Sequence, residues 1–265
     1  MIRSSLFNVL FYSFSFVVAM ICWAMAKLGL PRRSLWYVLR AWGLTVVWMV
    51  NTILWCRVEV RGREHLDLSR PQVIVSKHQS ELDIVMLGAL MWDVSAVAMA
   101  ELTRLPFFGT LLKKLDVVTI AVDSGPQGRT QQAIDGARRI RAQNRSMVIY
   151  PEGELMKLGA KERYRRGAGH IYGAMQVEAV PVAISLGVIW PQRQWRKNTG
   201  QVGIIEFMEP IQPGLELEPF MAEIEQRIET RSMELIEECA SGEMLEQARD
   251  RFARGVNNEV DTPAG

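Results

Sequence analysis

The apolar positions of this 265-residue chain fall into two regimes that change at Arg57. Ahead of that point they are nearly continuous. Residues 6–26 read LFNVLFYSFSFVVAMICWAMA, about twenty positions without a charge, enough for a helix to cross a bilayer. A cleaved leader would have a shorter apolar core and a small-residue cleavage site. Neither is evident, so the run predicts a retained membrane segment. After KLGLPRR a second apolar stretch, residues 35–56, carries Trp36, Trp42, Trp48 and Trp55 around one internal charge, Arg40. The pair fits a spanning hairpin, or one span followed by an interfacial helix with tryptophan rings at headgroup depth and Arg40 snorkelling to water. Arg3, Lys27, Arg32, Arg33, Arg57, Arg61 and Arg63 flank both ends of both stretches, so charge asymmetry does not choose between them.

Beyond Arg57 short β-rich runs alternate with helical ones. VEV (58–60), QVIVS (72–76), SAVAMA (95–100), DVVTIAV (116–122), SMVIYP (146–151), AVPVAIS (179–185) and QVGIIEF (201–207) read as strands. Helices are predicted over 80–91, with Ser80 as N-cap and Glu81 and Asp83 in the first turn, and over 128–143, 166–176 and 218–238. LPFFG (105–109) reads as a turn. Strands apolar on both faces, alternating with helices, predict an α/β fold: a mixed, largely parallel sheet covered by helices, with an N-terminal membrane-associated helical segment. The chain divides into that segment (1–56), one catalytic or binding domain (57–240) and a polar tail (241–265) that reads as a frayed helix and its end. Ligands in such folds sit in the loops after strand ends.

Composition narrows the function classes. A net charge of +2 leaves no nucleic-acid footprint. Cys22, Cys56 and Cys239 are odd in number and far apart, with neither zinc spacing nor a disulfide framework, which fits a reducing compartment. The chain contains no G-x-S-x-G nucleophile elbow.

Three histidines restrict a histidine mechanism to few places. His65 lies in a charged connector, RGREHLD, and His170 at the start of a predicted helix. His78, in SKHQSELD, sits on a strand-to-helix loop one turn before Asp83, where the carboxylate can fix the imidazole tautomer and leave the other nitrogen as a base. The plainer reading is that Asp83 only complements the helix N-terminus. A second strand-end loop, VIYPEGEL, delivers Glu152 and Gly153 at a tight turn, and the glycine permits close backbone approach to a ligand.

SKHQSELD, LPFFG, IYPEGE and EAVPVAIS, in this order, resemble the four blocks of the glycerolipid acyltransferase family, and specifically its bacterial 1-acylglycerol-3-phosphate (lysophosphatidic acid) acyltransferases. The resemblance implies that fold, and acyl transfer from acyl-CoA or acyl carrier protein to the free hydroxyl of a lysophospholipid, giving phosphatidic acid in phospholipid biosynthesis. It implies His78 as general base and Asp83 as the group that orients it. Glu152 and Gly153 would place the acceptor, and Pro181 belongs to the last block. No metal or cofactor is expected, because a thioester is already activated and an oriented base suffices. The expected partners are membrane lipid, the lysophospholipid and the thioester donor. The expected location is the inner (cytoplasmic) membrane with the catalytic domain facing the cytoplasm.

The chain also departs from the family. Met99 and Ala100 precede Glu101 where basic residues are usual, Ser124 stands where I-D-R has its arginine, and Glu154 and Leu155 replace the Thr-Arg of E-G-T-R. Three cations that would hold a phosphate are missing, and Glu154 adds a negative charge. Substitutes are available in Lys77, Arg104, Arg129 and the cluster Lys157, Lys161, Arg163, Arg165 and Arg166, a cluster that equally fits a solvated face attracted to anionic headgroups. A phosphate-free acceptor such as a lyso-ornithine lipid would tolerate the change. A catalytically silent lipid-binding protein would be expected to lose His78 or Asp83, and both are present. VIWPQRQWRK (188–197) joins tryptophans to cations, which suits either a headgroup interface or a loop that packs one ring inward.

Overall fold

The computed structural model describes residues 2–255. Seven strands form one sheet: β1 (Arg57–Arg61), β2 (Val73–Ser76), β3 (Ser95–Met99), β4 (Val118–Ile120), β5 (Met147–Ile149), β6 (Ala179–Ile184) and β7 (Val202–Phe207), in the order β1-β7-β6-β2-β5-β3-β4. Strands β6, β2, β5, β3 and β4 run parallel, while β7 is antiparallel to β6 and carries β1 parallel to itself. The fold is therefore mixed and mostly parallel. A parallel sheet sends the loops after β2, β5, β3 and β4 to one edge, each about 4.8 Å from the next; His78, Glu152 and Ser124 lie in the loops after β2, β5 and β4, and Met99 is the last residue of β3.

The continuous apolar runs bury both faces. Ile74, Val148, Val180 and Val182 pack against α2 (Arg32–Thr52) and α3 (Glu81–Leu90). Val73, Val75, Met147 and Ala179 pack against α5 (Gly125–Ala142), α6 (Gly167–Met175) and α7 (Leu217–Cys239). The switch of face at every residue of β2 is the strand period of two.

Helix α1 (Ile2–Lys27) is the outermost element. It is long and apolar enough to cross a membrane, and only 17% of its most apolar window is buried. Val9, Tyr12, Phe16, Val17 and Ile21 face outward. Helix α2 behaves differently: it carries Arg32, Arg33 and Arg40 and buries Leu35, Trp36, Val46, Met49 and Val50. Trp36, Val46, Met49 and Val50 share one apolar cluster with α3 and the sheet, so the division drawn at residue 57 does not separate two cores. A polar clamp fastens the same join. Arg32 grips Asp93 through two bonds of 2.7 and 3.0 Å, and Arg145, almost wholly buried, pairs with the same carboxylate at 3.2 Å while donating to the carbonyls of Asp93, Val94 and Leu115.

One helix falls where the pattern suggested a turn, and another is regular where a frayed one was expected. LPFFG turns at Pro106 and Phe107 and then starts α4 (Phe108–Lys114). Its glycine has a steric cause: a Cβ on Gly109 would stand 2.0 Å from the Thr103 carbonyl oxygen. Within the segment read as a polar tail, Gly242–Arg254 is α8, packed on α7 through Leu245, Ala248 and Phe252. Residues 256–265 of that tail lie outside the described residues.

Arg145→Met should leave the buried Asp93 carboxylate beside Arg32 alone and strand three carbonyls. The expected loss is about 3–5 kcal/mol of stability, read by denaturant unfolding of the detergent-solubilised protein. A loss below about 1 kcal/mol would show that the clamp is dispensable.

Candidate active site

The H-x-x-x-x-D spacing is the geometry of a helix start. Ser80 is the N-cap of α3, its hydroxyl accepting from the Leu82 amide at 3.1 Å, and Asp83 is the third helical residue. From there the Asp83 side chain reaches back over the cap. Its Oδ2 accepts from the amides of Ser80 (2.9 Å) and Gln79 (2.7 Å) and from His78 Nδ1 (3.1 Å). Capping and imidazole orientation, alternatives in the sequence, are thus one arrangement. Burial pushes the Asp83 carboxyl upward, and the bonds from His78 and the two amides oppose it. With Nδ1–H directed at Asp83, His78 Nε2 is the nitrogen left to accept a proton, and it makes no hydrogen bond among the described residues. The imidazole stacks on Tyr150, ring centroids 3.9 Å apart.

The loop after β5 holds the same histidine by its backbone. Tyr150, Pro151, Glu152 and Gly153 form a tight turn closed by the Gly153 amide on the Tyr150 carbonyl at 3.0 Å, with proline at the second position and glycine at the fourth. Glu152 Oε2 accepts from the His78 amide at 3.1 Å, and the Met156 amide donates to the His78 carbonyl at 2.7 Å. Both peptide groups of the histidine are therefore satisfied by the neighbouring strand's loop.

The expected binding residues separate into different roles. Lys77 was expected near the acceptor, but it is 1% exposed. Its Nζ lies 2.8 Å from Glu152 Oε1, 2.6 Å from Glu229 Oε1 and 3.0 Å from the Ala160 carbonyl, so its charge is committed inward and does not meet a ligand. Glu152, also expected at the acceptor, is fully buried and touches His78 and Lys77 instead. Arg129 lies on α5, which starts beyond β4, three strand spacings or about 14 Å from β2; the structure does not bring it to His78. Arg166 pairs with Glu218. Gly153 and Arg165 do meet. At Gly153, with φ 77°, an added Cβ would fall 2.3 Å from the Arg165 guanidinium carbon, so the bare glycine lets that exposed cation lie across the turn.

Of the other cations, Lys161 sits over the Phe252 ring, its Nζ 3.4 Å from the centroid. Trp190 of the aromatic tract packs inward on Phe7 and Phe11, while Trp195 stays outside and stacks on Tyr12. His65 lies after β1, at the opposite edge of the sheet from His78, and His170 lies on α6.

Two residues, Tyr150 and Glu229, were not singled out as site residues, while Tyr164 reads from the sequence either as the lining of a groove or as a core plug. Tyr150 supports the imidazole face. Tyr164 is a buried plug whose hydroxyl donates to Glu229 Oε1 at 2.9 Å. Glu229 is the acid on the apolar stripe of α7, between Ile228 and Ser232 on the buried face. An ionisable residue on such a stripe is the signal that could have found it.

Residues 57–185 match the Acyltransferase family model. The protein carries an acyltransferase domain. Over 206 residues the chain is 29% identical to the 1-acyl-sn-glycerol-3-phosphate acyltransferase of Pseudomonas aeruginosa, covering 77% of this chain and 79% of that protein. It is 33% identical over 134 residues to 1-acyl-sn-glycerol-3-phosphate acyltransferase alpha of Ovis aries, 49% of this chain and 45% of that one. The chain thus aligns with under half of the mammalian relative's length. The chain also shares its fold with the crystal structure of the 1-acyl-sn-glycerophosphate (LPA) acyltransferase PlsC of Thermotoga maritima, with a TM-score of 0.71 and 21% identity over 88% of this chain and 96% of that one.

Asp83→Asn keeps an oxygen for the amides but removes the charge that faces His78. The expected result is a fall in kcat of about 10²–10⁴-fold with KM within about threefold, measured by thiol release from acyl-CoA. An unchanged kcat would dismiss the carboxylate's role.

Proposed function

We propose that the acyltransferase moves a fatty acyl group from acyl-CoA or acyl carrier protein to the free hydroxyl of 1-acylglycerol-3-phosphate, giving phosphatidic acid for phospholipid biosynthesis. The observation that carries the reading is His78, tied to Asp83 through Nδ1 with Nε2 unbonded. The names of the bacterial and mammalian relatives support the acceptor. In the proposed step His78 Nε2 takes the proton of the acceptor hydroxyl as its oxygen attacks the thioester carbonyl. The carbon–sulfur bond then breaks, and the imidazolium returns the proton to the thiolate. No nucleophilic side chain enters the sequence of bonds.

Arg165 is our candidate for the acceptor phosphate. It is the expected cation held against the turn that supports His78, and no carboxylate pairs with it among the described residues. Guanidinium and phosphate match in charge and fork geometry. The outward apolar side chains of α1, with Trp48, Trp55 and Trp195 exposed, support membrane association. The inner membrane with the catalytic edge towards the cytoplasm is the placement that best fits the three unpaired cysteines.

A specific observation favours a second reading, a phosphate-free acceptor such as a lyso-ornithine lipid. At the ends of β3 and β4, Met99 and Val122 are exposed and apolar, and the Ser124 hydroxyl is turned back onto the Ala121 carbonyl at 2.7 Å.

Thiol release is compared with 1-acylglycerol-3-phosphate and with lyso-ornithine lipid for wild type, His78→Ala and Arg165→Met. The expected outcome is turnover with the phosphate acceptor, its loss in H78A, and a KM for that acceptor raised roughly tenfold in R165M. Turnover confined to the lyso-ornithine lipid would replace the first reading by the second. Full activity of H78A would end both.

A further inference from the structure

Behind His78 lies an ionic cluster that acyl transfer does not itself require. Lys77, the residue before the base, spans the gap between two carboxylates from distant elements: Glu152 on the β5 loop and Glu229 on α7. All three are buried. Removing charges from water at this cost, several kcal/mol for each ion, is offset only where each is paired and hydrogen-bonded. Here the Ala160 carbonyl and the Tyr164 hydroxyl complete the set. The cluster has one outlet: the free side of Glu152 accepts the His78 amide.

We propose that Lys77 and Glu229 are positioning residues for acyl transfer, holding the Glu152 carboxylate against the backbone of His78 so that α7 fixes the place of the base. This rests on His78 being that base.

The groups facing Glu152 come from four elements. Lys77 and His78 follow β2, Tyr150 follows β5, Tyr164 precedes α6, and Glu229 stands on α7 with Glu225 one turn before it. One cation therefore faces more than one carboxylate. Burial pushes the Glu152 carboxyl up to about 7, against the pull of Lys77 and with a push from Glu229. Burial also pulls the Lys77 ammonium down, but the two carboxylates outweigh it and the net direction is upward. The lysine keeps its charge, and Glu152 is the member poised to exchange a proton near neutrality. Only the ionised form is gripped by Lys77 and accepts the His78 amide with charge assistance, so activity should fall as pH drops through this range.

The sign of two substitutions follows. Lys77→Met removes the cation that favours the ionised form, so the acid limb of kcat against pH moves to higher pH. Glu229→Gln keeps the shape and removes a repelling negative charge, so the limb moves to lower pH. A cluster that only stabilised the fold would lower both activities without moving the limbs in opposite directions. The assay is thiol release from acyl-CoA by the full-length detergent-solubilised protein with 1-acylglycerol-3-phosphate, or with lyso-ornithine lipid if that is the working acceptor. Unfolding curves identify any K77M preparation that does not fold, and the near-isosteric E229Q then carries the test alone. We expect shifts of about one pH unit each way, a kcat at pH 7 lowered tenfold or more in K77M, and KM for the acceptor within about twofold in both. Limbs that stay in place, limbs that move together, or an effect confined to KM would overturn the positioning role while H78A remains inert. An active H78A would instead remove the base, and the proposal with it.

Discussion

A single carboxylate oxygen organises the catalytic edge. Asp83 Oδ2 accepts three N–H groups, two from the turn that begins α3 and one from the imidazole of His78. A helix needs its first amides satisfied, and a histidine base needs its tautomer fixed; one buried atom meets both needs. The proposed base is thereby tied to the beginning of a helix packed on the sheet. Only the side of the imidazole away from Asp83 is left for chemistry.

Sheet topology supplies the second half of the site. Because β2 and β5 are parallel neighbours, their following loops leave the sheet side by side, and the β5 loop closes on both peptide groups of His78. The tight turn at Gly153 then opens a place for Arg165. The cations farther along the edge belong to loops one or two strands beyond, so their order along the sheet separates their functions as much as their identity does.

Much of this was legible because it is local. The strand runs, the Ser80 cap and the offset from His78 to Asp83 depend on residues within one turn of each other, and a single sequence carries that information. Lys77 shows where legibility ends. A lysine in a strand-end loop reads as a solvent-facing cation, and what reverses the reading is Glu229, 152 positions away, brought near by the packing of α7. Glu152 looked like a ligand for the same reason: its two partners come from another loop. Helix α4 was hidden by its length of seven residues. For α8 the polar composition reads only as a frayed helix, and the stripe Leu245, Ala248 and Phe252, at i, i+3, i+7, is what seats it on α7.

The sharing of one apolar cluster by α2 and the sheet has a consequence for how the molecule comes into being. Both N-terminal helices leave the ribosome before any strand does, so the surface that will cover Ile74, Val148 and Val182 exists before those residues are made. The strands thus have a template made before them, and the Arg32–Asp93–Arg145 clamp ties residues made later to the N-terminal helices. A version trimmed of its first helices to gain solubility would lose this template as well as its greasy exterior. Biosynthetic order and final architecture are in this protein two views of one hydrophobic contact.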